Sequence, residues 1–416
     1  MTDPASQTKV VPQPALSTGQ RLAKKALLAL LGHLKEGQLT LEDDEGQHRF
    51  GAGEPVALLK VRDPAFYPKA LLGGSIGAGE AYVAGLWDSP DLVSLVRIMV
   101  LNLPMLDSLE RRLAWLTWPV QRLAHLANRN SKSGSKRNIL AHYDLGNTLY
   151  KSFLDDSLMY SSALYPHPEA SLEEAQQHRL AVICEKLDLK PGDRLLEIGT
   201  GWGGLALYAA RHYGCHVTTT TISEAQYQEA KARVAAEGLG ERITLLKEDY
   251  RDLKGQYDKL VSIEMIEAVG HRYLPGFFAK CQSLLKPDGL MLLQAITIGD
   301  QRYDSYAGSV DFIQRYIFPG GCLPSNTRML SLMTAHTDFV VRDLKDFGFD
   351  YARTLAEWRR RFHGAFEGLR SQGYDERFKR LWDYYLCYCE GGFWERAISV
   401  VHLVATRPGN RTCIGC

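Results

Sequence analysis

One stretch limits the fold more than any other: Leu195-Leu196-Glu197-Ile198-Gly199-Thr200-Gly201-Trp202-Gly203-Gly204. An apolar run ends in an acid, and a glycine-rich turn then opens a helical pattern at Gly203. This is the strand–turn–helix start of an α/β unit. Glycines there permit tight positive-φ turns and let a ligand touch bare backbone. Around it, Leu195–Ile198, His216–Thr221, Ile243–Leu246, Lys259–Ile263 and Leu290–Gln294 read as strands. Gly203–His212, Glu224–Glu237 and Pro275–Leu285 read as helices between them. Strands separated by helices imply a parallel, doubly wound sheet, and so a Rossmann-like α/β fold with a smaller N-terminal domain.

The ligand of the turn follows from its charge and spacing. A dinucleotide binder would place a pyrophosphate at the helix N-terminus. Here the spacing is G-x-G-x-G-G rather than G-x-G-x-x-G, and there is no P-loop lysine. Glu197, two residues before the first glycine, would repel phosphate but suits the cationic amino-acid end of S-adenosylmethionine. A nucleotide binder or an empty structural turn is the alternative. The second strand ends in Thr218-Thr219-Thr220-Thr221-Ile222-Ser223, without the acid that often holds the ribose, so hydroxyls, backbone or Gln226 take that work. After the third strand, Asp249 is placed to meet the adenine amino group and Tyr250 the ring, with helix capping as the plainer role for Asp249.

Charge and composition narrow the partners. With 49 basic and 48 acidic side chains, whole-chain charge gives no reason to expect nucleic acid. No apolar run is long enough for a transmembrane helix. Residues 1–18 read as a polar, disordered leader rather than a secretory signal. Cysteines such as Cys184, Cys215, Cys281 and Cys322 stand singly in apolar segments, the pattern of reduced thiols in a cytoplasmic protein. Cys413 and Cys416 form a lone C-x-x-C, and no metal site is expected.

The N-terminal domain is expected over residues 19–127, with a turn-rich stretch at Gly73–Gly79 and a short helix from Pro90 to Leu103. Leu109, Leu113, Leu116, Val120 and Leu123 lie at helical spacing beside Trp115 and Trp118, with Pro119 as a kink. From Leu109 to Asn138 seven cations face one acid, Glu110. Two readings stand: a helix with a solvated basic face, or an interfacial helix drawn to anionic lipid. Residues 128–138 form a basic linker, 139–405 the catalytic domain and 406–416 a tail.

Further stretches carry a resemblance. His142-Tyr143-Asp144-Leu145-Gly146-Asn147, Tyr160-Ser161-Ser162-Ala163, Glu197–Gly204, Thr221-Ile222-Ser223, Met265-Ile266-Glu267-Ala268-Val269-Gly270, Tyr316–Pro324 and Phe347–Tyr351 together resemble the cyclopropane-fatty-acyl-phospholipid synthase family, which includes the mycolic acid cyclopropane synthases. The resemblance spans about residues 139 to 405, and Gly73–Asp88 resembles the family's N-terminal domain. It implies methyl transfer from S-adenosylmethionine to the cis double bond of an unsaturated phospholipid acyl chain. The carbocation formed must be kept from water and then lose a proton. Site residues carried over for the cofactor are Tyr160, Ser161, Glu197, Gly199, Gly201, Thr221, Ile222, Gln226, Asp249 and Tyr250.

The family is understood to use a bound bicarbonate as the base. The cage implied for it is Ser162, Glu267, Gln294, the backbone N–H of Ile296, and Tyr351. Ser162 stands where the family has Cys and Gln294 where it has His; both still donate to an oxyanion, but neither supplies a titrating imidazole. Tyr316, Phe318 and Trp394 are aromatic candidates to face the cation. A cyclopropane is the expected product, with a methyl-branched or methylene fatty acid as the alternative. A small-molecule or protein methyltransferase of the same fold and a non-catalytic lipid-binding relative also stay open. The resemblance further implies a peripheral place on the inner face of a membrane, and it leaves a homodimer open.

Overall fold

The computed structural model describes residues 16–106 and 146–412. The first part builds a small unit in the order α1 (Thr18–Leu31), β1 (Gly37–Asp43), β2 (Gly46–Ala52), β3 (Val56–Val61), α2 (Phe66–Val83), β4 (Trp87–Asp88) and α3 (Leu92–Leu101). Its four strands form one sheet in the order β2-β1-β3-β4, which the sequence reading did not foresee. Ser17 caps α1 in a reciprocal capping box with Gln20, so this helix begins inside the segment expected to be leader.

Gly73–Gly79, expected as a turn, lies within α2. Only Gly74 departs from helical geometry, at φ 53° and ψ −139°, and it breaks α2 into two pieces. Gly79 serves contact instead: a Cβ there would lie 2.6 Å from the Phe312 ring and 2.8 Å from Tyr384. The basic, tryptophan-containing stretch Leu109–Asn138, the linker within it, and Cys413 and Cys416 lie outside the described residues.

The second part continues through α4 (Asn147–Lys151), α5 (Leu172–Lys186), β5 (Arg194–Ile198), α6 (Gly204–Tyr213), β6 (His216–Thr220), α7 (Glu224–Ala236), β7 (Ile243–Leu246), β8 (Tyr257–Ile263), α8 (Leu274–Leu284) and β9 (Leu285–Ile298). Then follow α9 (Tyr303–Ala307), α10 (Phe312–Tyr316), α11 (Asn326–His336), β10 (Val340–Asp346), α12 (Gly348–Arg370), α13 (Glu376–Trp394) and β11 (Ile398–Thr406). Seven strands make one sheet in the order β10-β11-β9-β8-β5-β6-β7. β5 to β9 pair in parallel, whereas β11 runs antiparallel between β9 and β10. Both faces are covered, so the inner strands are buried almost throughout and read as continuous apolar runs.

The five parallel strands and three of the helices between them fall where the sequence placed them. The last segment does not match: beside its helices it contributes β10 and β11. Strand order reverses between β5 and β8, which opens a crevice at their carboxyl ends. The small unit is fastened to the same molecule by α13. The Tyr82 hydroxyl donates to Asp383 at 2.8 Å, and Arg380 reaches the Trp87 carbonyl and the Asp88 carboxylate, both at 2.8 Å. Cys387 and Tyr384 of α13 join the core of the small unit.

Candidate active site

At the end of β5 the chain turns through Gly199, Gly201 and Gly203 at φ 106°, 53° and 87°. A Cβ on Gly201 would meet no atom within 4 Å, because that position faces a cavity. The turn lies against the N-terminus of α6, which points its free N–H groups the same way. Glu197 does not line the cavity, contrary to its expected contact with the cofactor. It is buried, and its Oε2 accepts the Thr219 hydroxyl at 2.6 Å, while Thr219 and Thr200 hydroxyls meet at 2.7 Å. Burial pushes its carboxyl up to about 8. Glu197 therefore acts as a protonated brace that ties the turn to β6.

The other residues expected around the cofactor, namely Tyr160, Ser161, Gly199, Gly201, Thr221, Ile222, Gln226, Asp249 and Tyr250, all line the cavity. The Thr221 hydroxyl donates to the Gln226 side chain at 2.9 Å, and together they edge the pocket after β6. Asp249 is gripped by Arg251, with Nε at 2.8 Å and Nη2 at 2.6 Å, and it also caps the turn that follows. It thus reaches the cavity as half of an ion pair. The Tyr250 ring packs edge-on against Phe277. This empty-sided glycine turn, with hydroxyl and amide side chains after the second strand, fits S-adenosylmethionine.

Three of the five residues of the expected anion cage, Ser162, Gln294 and Tyr351, converge on a sixth residue, while Glu267 and Ile296 pair with each other. Glu264, at the end of β8, points its carboxylate into the cage. Its Oε1 accepts the Ser162 backbone N–H at 2.9 Å and the Gln294 Nε2 at 2.7 Å, and its Oε2 accepts the Tyr351 hydroxyl at 2.7 Å. The Ser162 hydroxyl, expected to donate into the cage, donates to the Ala163 carbonyl instead. The Ile296 N–H donates to Glu267 Oε1 at 2.5 Å. The Tyr351 hydroxyl and the Gln294 amide are thus held by Glu264, the Ile296 N–H by Glu267 and the Ser162 hydroxyl by the Ala163 carbonyl, and a bicarbonate does not fit beside them.

Behind Glu264 lies a fully buried arginine. Arg179 of α5 donates from Nη1 to the Ser161 hydroxyl at 2.8 Å and to Gln294 Oε1 at 3.3 Å. Gln294 also contacts His402 Nε2 at 3.1 Å and donates to the Ser162 carbonyl at 3.3 Å. Burial drives the His402 imidazole well below its ordinary range, so it is neutral. The two acids differ sharply in their support. Burial raises the Glu264 carboxyl, but the Ser162, Tyr351 and Gln294 bonds and the Arg179 charge oppose it. Glu267 has fewer partners, and burial and the Glu264 charge push it up to about 8. Its Oε2 is buried with no hydrogen-bond partner among the described residues. Glu264 is thus the acid with three donors to support a negative charge, and near neutrality Glu267 is a carboxylic acid.

Glu264, Glu267, Ile296 and Tyr351 line the cavity; Ser162 and Gln294 do not. The cavity, about 1660 Å³, runs from the cofactor turn past these acids to apolar side chains such as Leu30, Leu95 and Met99 of the small unit. Of the aromatics expected to face a cation, only Phe318 lines it. Tyr316 and Trp394 are substantially exposed, bonded to Glu80 and packed against Phe349 respectively. Tyr160, Tyr385 and Phe393 line it instead, with the Tyr160 and Tyr385 hydroxyls 2.8 Å apart and the Tyr351 and Phe393 rings at 4.5 Å. Sequence reasoning missed Glu264 and Arg179. The available signals were an acid at the carboxyl end of a central parallel strand, and an arginine in register with Leu172, Ala175 and Ile183 on the apolar face of α5.

This sheet order and glycine turn define a class I S-adenosylmethionine-dependent methyltransferase. A family model described as mycolic acid cyclopropane synthetase matches residues 130–403, and the chain belongs to that family. It is 36% identical over 419 aligned residues to a tuberculostearic acid methyltransferase of Mycobacterium tuberculosis, covering 96% of this chain and 94% of that protein. It is 40% identical over 358 residues to the cyclopropane-fatty-acyl-phospholipid synthase of Escherichia coli K12, covering 85% and 89%. A solved cyclopropane synthase from Mycobacterium tuberculosis superposes with a TM-score of 0.61 at 28% identity, over 65% of this chain and 98% of that one. A mycolic acid cyclopropane synthase complexed with SAH and CTAB gives 0.60 at 28%, with the same coverage.

Proposed function

We propose that the enzyme methylates the cis double bond of an unsaturated phospholipid acyl chain and closes the product to a cyclopropane. The observation that carries this reading is the cavity, which joins the cofactor turn to a long apolar end through a ring of acids and aromatics. S-adenosylmethionine, when bound, supplies an electrophilic methyl. The backbone of Gly199 and Gly201 receives its amino-acid end, Thr221 and Gln226 its ribose, and Asp249 and Tyr250 its base. The apolar end, formed with α1 and α3, takes the acyl chain and keeps water from the cation. Tyr160, Tyr351, Tyr385 and Phe393 offer ring faces and edges around the reacting carbon, and ring faces attract a cation. Glu267, held by the Ile296 N–H, lies within this ring as a neutral acid.

The E. coli relative is named for cyclopropane formation on phospholipid acyl chains. A second reading has one specific support: the relative aligned over 96% of this chain is named for tuberculostearic acid methyl transfer. The same cation would then lose its proton from a neighbouring carbon and leave a methyl-branched or methylene chain. The substrate also places the enzyme at a membrane surface. No helix among the described residues is long and apolar enough to cross a membrane, so contact is peripheral in this reading, through the basic stretch Leu109–Asn138. The protein is incubated with unsaturated phospholipid vesicles and methyl-labelled S-adenosylmethionine, and fatty acid methyl esters are identified by mass spectrometry. Labelled esters that resist mild hydrogenation support the ring; esters that gain two hydrogens support the second reading. Lipid without label refutes both.

A further inference from the structure

We propose that the Glu264 carboxylate stands in the place implied for a bound bicarbonate and is itself the base that takes the proton from the alkylated substrate. This rests on the alkene methylation proposed above. Three observations carry it. The first is that the donors are already used. Ser162 N–H, Gln294 Nε2 and Tyr351 hydroxyl come from three separate parts of the chain and converge on one carboxylate at 2.7 to 2.9 Å. Three such charge-assisted bonds in a buried place are what a small oxyanion would need. A second anion there would have to compete with the first for the same donors and lie against its charge.

The second observation is backbone conformation. Glu264 has φ +47°, and its N–H is fixed to the Gln294 carbonyl at 2.8 Å. A non-glycine residue in the left-handed region is strained, and such strain collects at functional sites. The strained conformation is the one that delivers this side chain to the cage. The third is charge and access. Arg179, wholly buried, balances one negative charge in the cluster, and Glu264 is the acid with the donors to carry it. Glu264 also lines the cavity, whereas Ser162 and Gln294 do not, so its carboxylate is the face that the cage presents to a substrate.

The step balances. As the methyl leaves, the C–S bond breaks and its electron pair stays on sulfur. The alkene π pair forms the new C–C bond, and the adjacent carbon becomes the cation. Glu264 accepts a proton from the new methyl, and the freed C–H pair closes the ring. The acid so formed returns its proton to solvent after product leaves.

The test uses the full chain, unsaturated phospholipid vesicles and methyl-labelled S-adenosylmethionine. Wild-type turnover is compared in CO2-stripped buffer and in buffer with added bicarbonate, and acidified protein is assayed for released CO2. The expected result is turnover unchanged within about twofold and no stoichiometric CO2, since the base is covalently part of the chain. Glu264→Gln should lose at least ~100-fold in kcat, the usual scale for a positioned base, while calorimetric affinity for S-adenosylmethionine stays within about threefold. A more than tenfold loss of wild-type turnover on removing bicarbonate, or stoichiometric CO2 release, overturns the inference. So does a Glu264→Gln enzyme within about threefold of wild type. If that variant does not fold, the wild-type measurements decide alone. Wild-type enzyme that labels no lipid refutes the alkene-methylation reading, and this inference falls with it.

Discussion

Glu267→Gln is expected to stabilise the protein while disabling it, and the gain should grow with pH. The Glu267 carboxyl is raised from an ordinary 4.5 to about 8 by burial and by the neighbouring Glu264 charge. The folded state therefore holds a proton that the unfolded chain releases above about pH 4.5. Stability from this group is fully present below 4.5 and is lost as pH rises towards 8. At 1.36 kcal/mol per unit, the loss over that window is on the order of 4 kcal/mol. Glutamine does not titrate, and its amide oxygen can still accept the Ile296 N–H that Glu267 Oε1 holds at 2.5 Å. Urea unfolding of both proteins at pH 5 and pH 8 measures the difference. The variant should gain on wild type by a few kcal/mol between the two pH values, because other titrating groups cancel in the comparison. In parallel, kcat should fall at least ~100-fold with S-adenosylmethionine still bound. A gap that does not widen with pH by more than about 1 kcal/mol would refute the neutral-acid assignment.

Gly201→Val should abolish S-adenosylmethionine binding in calorimetry, since φ +53° disfavours a β-branched residue and its side chain would fill the ligand's space; unchanged affinity would remove the turn from the cofactor site. Ser162→Ala should keep turnover within about threefold, because Ser162 serves Glu264 through its backbone N–H and spends its hydroxyl on the Ala163 carbonyl. A tenfold loss would show that the hydroxyl matters. Binding to anionic vesicles should weaken steeply with salt, as attraction between the cations of Leu109–Asn138 and the lipid surface is screened within about 10 Å at 0.1 M. Equal binding to neutral vesicles would contradict docking through that stretch.

What was legible in the sequence was local. Glu197–Gly204 gives both the strand and the turn, because each needs only its neighbours along the chain. The parallel strands are buried on both faces, so their apolar runs stand out. β10 was hidden because it is an edge strand, with Val340, Val341 and Leu344 substantially exposed and no clean alternation. β1 to β4 were hidden because the small sheet is half solvated. Gly73–Gly79 misled for a different reason: the string suggests a turn, but the Gly79 position is small to admit Phe312 and Tyr384, which lie far away in sequence. In the site, Ser162, Gln294 and Tyr351 converge, yet their object was unreadable. That Ser162, Gln294 and Tyr351 meet one side chain depends on the crossing of β8, β9 and α12. Glu197 shows the converse, an acid beside the cofactor turn whose side chain faces the sheet interior.

The left-handed backbone at Glu264 also bears on how a protein of this fold can change. Glycine adopts φ +47° without strain, and it would remove the carboxylate from among its three donors. Either glutamate codon becomes a glycine codon by one base change. A chain built this way therefore stands a single point mutation from one whose cage holds a diffusible anion, and the backbone relaxes on the way. Tethered and borrowed negative charge are neighbouring solutions on the same scaffold. An enzyme with the tethered form draws on no pool of dissolved carbonate, so its output is uncoupled from the carbon dioxide content of its surroundings.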